Sequence, residues 1–168
     1  MNADEEHTAG LALAYQEGER SIDDQARTLE SLRARAATLF SAAGVIGGFL
    51  VGLALNKTPT TQLRGLGWLG LTVGAAAFLV VAVAVVAIWW PVTMHVRLDP
   101  GRLIVDYIES ESPATLAELH REIALWRHQQ INSNSVRLDR RVDLLIIALM
   151  AFPVEVIALL LSVQDVAR

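Results

Sequence analysis

Three long blocks of apolar residues, set between polar stretches of a different rhythm, organise this chain. The first runs from Ala36 to Leu55, AATLFSAAGVIGGFLVGLAL, about 20 residues without a charge. The second runs from Leu66 to Trp90, LGWLGLTVGAAAFLVVAVAVVAIWW, about 25 residues and equally uncharged. The third, Leu144 to Val163, contains ALMAFPVEVIALLL, with Glu155 in its middle two residues after Pro153. About 20 apolar residues in a helix span a hydrocarbon core of roughly 30 Å, so each block predicts a transmembrane helix. The second is long enough to tilt. Trp68 near one end, and Trp89 and Trp90 at the other, suit the two interfaces of a bilayer, and Pro91 stops the helix.

Outside the blocks the period changes. Leu11, Tyr15, Gly18, Ile22, Gln25, Leu29, Leu32, Ala36 and Leu39 step by three and four, a heptad-like stripe that runs without a break into the first block. One long helix is therefore expected to leave the bilayer and continue in water. A second amphipathic helix is expected from Ser112 and Pro113, a cap followed by proline at the first helical position. Its apolar face is Leu116, Leu119, Ile123 and Trp126, continued after a phase slip near Gln130 by Ile131, Leu138 and Val142. Between Pro91 and Ser112, β-branched runs flank an Asp-Pro-Gly turn, which reads as a small hairpin or an extended connector.

These elements predict an all-α integral membrane protein with three transmembrane helices and two cytosolic amphipathic helices. The expected order is an N-terminal helix over 1–35, spans at 36–55, 66–90 and 144–163, an external loop at 56–65, a cytosolic connector and helix over 91–143, and a tail at 164–168. Arginine placement sets the direction. Arg20, Arg27, Arg33 and Arg35 precede the first span, and Arg97, Arg102, Arg121, Arg127, Arg137, Arg140 and Arg141 lie between the second and third. Only Lys57, Arg64 and Arg168 fall on the other side. The N-terminus and the middle segment are expected in the cytoplasm.

Composition agrees with this layout and narrows the chemistry. Apolar residues make up 53% of the 168 and charged residues 19%, below the usual quarter. A net charge of -4 argues against nucleic-acid binding. There is no cysteine, which excludes disulfides and thiolate catalysis. The acidic start, MNADEE, lacks the basic and apolar pattern of a signal peptide. His7, His95, His120 and His128 have no metal-ligand spacing, and no glycine loop is placed to cradle phosphate. No catalytic residue, metal site or resident cofactor is expected, and an enzyme is the least favoured reading.

Three features carry candidate function. Gly44, Gly48 and Gly52 form a small-residue repeat on one face of the first span, and Gly70 and Gly74 repeat it in the second. Such faces let helix backbones approach closely in lipid, either between these two spans or between copies in a homo-oligomer. Glu155 is an acid near mid-span, where a charge costs about 2.5 kcal/mol or more. It is either a gating or pore-lining group or a structural carboxyl bonded to a neighbouring span, with Pro153 freeing a carbonyl near Leu149 and Met150 as a polar partner. In INSNSVRLDRR, the residues Asn132, Asn134, Arg137, Arg140 and Arg141 are candidate nucleotide contacts. The same stretch also reads as a topology signal plus a solvated helix face with local ion pairs.

Taken together, LESLRARAATLFSAAGVIGGFLVGLAL entering span one, WWPVTM closing span two, SPATLAELHREIA and INSNSVRLDRR in the middle segment, and VEVIALLL in the last span resemble the small multi-span effectors of bacterial anti-phage signalling. The layout is most similar to the transmembrane Pycsar effectors and also to the two-span SLATT modules. The resemblance implies a partner pyrimidine nucleotide cyclase, cyclic CMP or cyclic UMP as the signal ligand, and impairment of the inner membrane leading to abortive infection. The middle segment is about 50 residues, too short for a β-roll nucleotide domain, so a nucleotide would bind between helices. Two alternatives stand beside this one. The first is an accessory or structural membrane subunit whose cytosolic helices dock a partner protein. The second is a small channel or transporter in routine use, which would need more intramembrane polar residues than Glu155 and a few serines and threonines.

Overall fold

The computed structural model describes residues 3–57, 65–91 and 115–166, and side chains over 8–53, 65–91 and 115–164. The described residues form three helices and no strand: α1 (Ala3–Lys57, 55 residues), α2 (Gly65–Trp89, 25 residues) and α3 (Leu116–Val166, 51 residues). All three are long and apolar enough to cross a membrane. The hairpin or connector expected over 91–112, the Ser112-Pro113 start signal, most of the external loop and the end of the tail lie outside the described residues.

Each helix ends or continues for a local reason. α1 runs straight from its polar half into its apolar half, as the unbroken stripe requires. α2 stops at Trp89, with the Trp90 amide still donating to the Val86 carbonyl at 2.9 Å, because Pro91 disfavours helical backbone in the residue before it. α3 starts with a reciprocal cap at Thr115, just after the Ser112-Pro113 position. The Thr115 amide donates to Glu118 Oε2 at 2.8 Å, and the Glu118 amide donates to Thr115 Oγ1 at 3.3 Å. α3 then passes through Gln130 and Pro153 without a break. The segment treated in sequence as a separate cytosolic helix and third span is one helix.

The cap has a measurable consequence. The backbone and hydroxyl bonds from Thr115 hold the Glu118 carboxyl below its usual 4.5. A carboxyl whose folded pKa is depressed contributes above its unfolded value, and that contribution is lost as pH falls through the folded pKa. Acidification below about 4.5 should therefore fray the first turn of α3 while the rest of the helix stays intact. Thr115→Ala should do the same at neutral pH at a cost of about 1 kcal/mol. Amide protection at residues 116–119, corrected for intrinsic exchange, checks both. Unchanged protection in Thr115→Ala would show that the cap does not hold this end.

The chain divides into two compact units, residues 1–29 with 92–139 and residues 30–91 with 140–168. In the first, the start of α1 lies parallel to the start of α3. The rings of Tyr15 and His120 are 5.1 Å apart, Arg127 donates to the Tyr15 carbonyl at 2.8 Å with its guanidinium 4.1 Å from the tyrosine ring, and Gln25 donates to the Ile131 carbonyl at 3.0 Å. Gly18 makes room for the Arg127 stem, which a Cβ would meet at 3.1 Å. The expected stripe of α1 is the inward one: Leu11, Tyr15, Gly18 and Gln25 are half-buried and Ile22 and Leu29 buried. The apolar face expected on α3 turns partly outward here. Leu116 is exposed, Leu119, Trp126, Ile131 and Leu138 are half-buried and Ile123 is buried, while Asn134 is the buried polar residue of this stretch. A single buried amide in a parallel helix pair sets register at a cost in stability.

In the second unit all three helices meet, with α2 antiparallel to the other two. Gly67, Gly70, Gly74, Ala77, Val81, Ala84 and Ile88 alternate steps of three and four down the buried side of α2. Leu32, Ala36, Leu39, Ala43, Gly47 and Leu50 line the buried side of α1. The outside of this unit is strongly apolar: Val45, Phe49, Leu79, Val83, Met150 and Ile157 are all exposed. Thr38 and Thr72 sit on that outside with their hydroxyls donating at 3.0 Å to the carbonyls of Ala34 and Trp68 four residues back, so neither depends on water for a partner.

Candidate functional site

α3 carries its polar residues on one line. Asn134, Arg141, Ala148, Glu155 and Ser162 follow at intervals of seven, and all are buried. The four polar members are the buried polar and charged residues among those described. A seven-residue interval keeps positions on one helix face, so the stripe that packs α3 also brings its polar groups to the inside. Val142, one position on from Arg141 and expected on an apolar face, is exposed for the same reason.

Glu155 is the centre of the site. It is fully buried, where α3 passes Gly47 of α1 and Gly74 of α2. A Cβ on Gly47 would lie 2.5 Å from Glu155 Oε1, and a Cβ on Gly74 would lie 2.7 Å from the Leu159 side chain and 3.6 Å from the Glu155 carbonyl. The absence of a side chain at Gly47 leaves the space the carboxyl occupies, and its absence at Gly74 makes room for Leu159. Neither carboxyl oxygen has a hydrogen-bond partner within the protein. Beside it is a cavity of about 290 Å³, walled by Gly44, Gly48, Val51, Leu71, Ala75 and Phe78, with Glu155 as its ionisable group. Its rim residues Gly44, Gly48 and Ala75 are exposed. This is an apolar recess with one strong acceptor at its inner end.

Pro153 has a different part from the one expected. It is exposed, and the carbonyl it frees near Leu149 and Met150 does not reach Glu155, whose oxygens stay unpaired. Two turns further along α3, Ser162 Oγ donates to the Gly67 carbonyl at 3.1 Å. Here Gly70 allows α2 to approach the backbone of α3: its Cβ would lie 2.5 Å from the Ala158 carbonyl oxygen and 3.0 Å from the Ser162 amide nitrogen.

The two glycine repeats thus separate. Gly70 and Gly74 pack α2 on α3, not on α1. Gly44, Gly48 and Gly52 are exposed with nothing within 4 Å of a Cβ, so they do not join the first two apolar helices. The close-packed glycine of α1 is Gly47, which meets Glu155 and Leu159 of α3 rather than α2 and which the 44-48-52 spacing passes over. It is found by carrying the α1 stripe on through Leu39, Ala43, Gly47 and Leu50.

The candidate nucleotide contacts also separate. Asn132 and Arg140 are exposed, with Asn132 Nδ2 3.2 Å from His128 Nε2. Asn134 is buried with Oδ1 unpaired, Arg137 is half-buried, and Arg141 is buried. α3 turns these five residues to different sides, so they do not form one cluster. Arg141 Nη2 donates to the Trp90 carbonyl at 2.8 Å, closing the C-terminal end of α2. Burial first, and then the Arg33 guanidinium, lower the pKa of Arg141. Arg33, one of the arginines that precede the first span, belongs to this corner: its guanidinium lies over the Trp89 ring, 5.9 Å from the centroid. No family model, curated protein or solved structure matches this chain.

Proposed function

We propose that this protein is a non-enzymatic membrane effector of anti-phage defence, of the kind the transmembrane Pycsar effectors represent. In this reading its three apolar helices cross the inner membrane, with the N-terminus and the two amphipathic helical stretches in the cytoplasm. A cyclic pyrimidine nucleotide, cyclic CMP or cyclic UMP made by a partner cyclase, shifts those stretches and impairs the membrane. The observation that carries the reading is Glu155: a fully buried carboxyl with no partner, held where the apolar parts of three helices meet. Such a group is expensive in hydrocarbon and, where present, marks a polar path.

Further features support the membrane setting. The second unit is strongly apolar on its outside, where Val45, Phe49, Leu79, Val83, Met150 and Ile157 are exposed, unlike the mixed surface of a soluble protein. The parallel course of α1 and α3, with α2 antiparallel, suits three successive crossings, and the arginine count favours an inside position for the start of α1. α1 is one helix of 55 residues, which carries the polar stretch directly into the first apolar span. The exposed Gly44, Gly48 and Gly52 offer a close-packing face to a second copy.

Dye release from liposomes holding the purified protein tests the function. Cyclic CMP, cyclic UMP, cyclic AMP and cyclic GMP are added separately. Release with one cyclic pyrimidine alone is the expected result. Silence with all four, from protein shown to be folded and inserted, rejects direct nucleotide gating. The reading would then pass to an accessory subunit that docks a partner protein, which the exposed Leu13, Leu116, Leu125 and Val136 in the first unit favour.

A further inference from the structure

A second charged site lies away from Glu155, at the end of α2 that carries the paired indoles. Arg141 is 4% exposed, and although Nη2 is held by the Trp90 carbonyl, Nη1 is buried without a partner. Arg33 lies against Trp89, and its Nε is also buried without a partner. Among the described residues no carboxylate pairs with either guanidinium; the ion pairs formed are Arg20–Glu17 and Arg121–Glu122. Two arginines brought to adjacent indoles with no acid between them repel each other, so the arrangement calls for an anion.

We infer that Arg33 and Arg141, set beside Trp89 and Trp90, form a binding site for a phosphodiester anion. Guanidinium presents planar paired donors that match a phosphate in two-point contact. The C-terminal end of α2 opposes an anion with only about half a negative charge, which Arg141 already caps, against two full positive charges. The choice of a phosphodiester rests on the membrane reading above. Indoles at the end of an apolar helix lie at headgroup level, and the anion there is the singly charged diester of a phospholipid. A soluble cyclic nucleotide carries the same group, so the shared chemistry has two sources.

The test uses full-length protein in a neutral detergent. It is titrated in separate arms with dioleoyl phosphatidylglycerol, with dioleoylglycerol, which has the same chains and no phosphate, and with cyclic CMP. Tryptophan emission and the thermal midpoint are read. Arg33→Gln and Arg33→Lys are compared with wild type and with Arg35→Gln, an exposed arginine on the same helix. Saturable binding of a phosphodiester is expected, weakened about tenfold by Arg33→Gln through loss of a charge-assisted contact, less by Arg33→Lys, and not by Arg35→Gln. An effect of phosphatidylglycerol assigns the site to a headgroup, and an effect of cyclic CMP to a soluble ester; either sustains it. The inference is overturned if dioleoylglycerol acts as well as phosphatidylglycerol, if neither diester binds, or if the Arg33 and Arg35 variants lose affinity equally. Should Arg33→Gln not fold by circular dichroism, Arg33→Lys carries the comparison. Carbonate extraction of the same protein from cell membranes scores the membrane reading independently. Release into the supernatant rejects that reading, whatever the titration shows.

Discussion

Gly70→Val should drive α2 away from α3 and lower stability by about 3 kcal/mol, the upper part of the range for overpacked interiors. The reason is the identity of the atoms a side chain would meet. A Cβ at Gly70 falls 2.5 Å from the Ala158 carbonyl oxygen and 3.0 Å from the Ser162 amide nitrogen. Both belong to the backbone of α3 and cannot rotate aside. The helices must separate, and separation also breaks the buried bond from Ser162 to the Gly67 carbonyl. Gly48→Val makes the contrast. It adds the same side chain to a glycine with nothing within 4 Å of its Cβ, so the stability of the single chain should stay within about 0.5 kcal/mol. If copies of the chain associate through the Gly44–Gly48–Gly52 face, Gly48→Val should lower the oligomer fraction while the thermal midpoint at low protein concentration holds. Thermal unfolding in detergent reads the first effect and cross-linking in liposomes the second. Equal stability of Gly70→Val and wild type would mean that the α2–α3 contact is not as close as described.

The second large effect belongs to Glu155. Glu155→Gln keeps shape and volume and removes the ionisable group, so assembly and fold should survive. Triggered dye release should change by about tenfold or more, since a charge at this depth is worth about 2.5 kcal/mol and each 1.36 kcal/mol is a factor of ten in rate. Glu155→Leu goes further. It removes two buried acceptors that have no partner to lose, so it should raise stability, by about 1 to 3 kcal/mol, and abolish triggered release. A more stable protein that no longer acts is the signature of a functional buried acid. Variants that leak like wild type would make the carboxyl structural, and a loss of stability in Glu155→Leu would mean that it has a partner in the assembled state.

Much of this arrangement is legible from residue order. Length and apolarity mark out three helices long enough to cross a bilayer, because backbone groups in an apolar block have to be satisfied within the segment. The stripe from Leu11 to Leu39 is found facing inward as its spacing requires, because a period near 3.6 fixes which residues share a face. The end of α2 follows from Pro91, and the start of α3 from capping chemistry at Thr115. Glu155 is conspicuous in sequence because nothing else in its block is charged.

Periodicity does not say which face finds a partner, and tertiary structure decided that. The glycines at 44, 48 and 52 and those at 70 and 74 have the same spacing, yet the first set is exposed and the second is packed. A glycine fits equally well against lipid and against a neighbouring helix, so its spacing alone cannot distinguish them. Gly47 matters because α3 brings Glu155 to it, a contact across more than a hundred residues that no local rule contains. In the same way, the run from Asn132 to Arg141 reads as one polar cluster along the chain, but the helix distributes it around its circumference. Asn134 and Arg141 share an inward line with Glu155 and Ser162, whereas Asn132 and Arg140 face out. The seven-residue interval was present in the sequence. Polar residues usually mark the solvated side, and only the packing of α3 among its neighbours shows that here they mark the inside. Arg33 meets Arg141 for a comparable reason: α1 and α3 both pass the indole end of α2, which sets together two arginines that sequence order holds far apart.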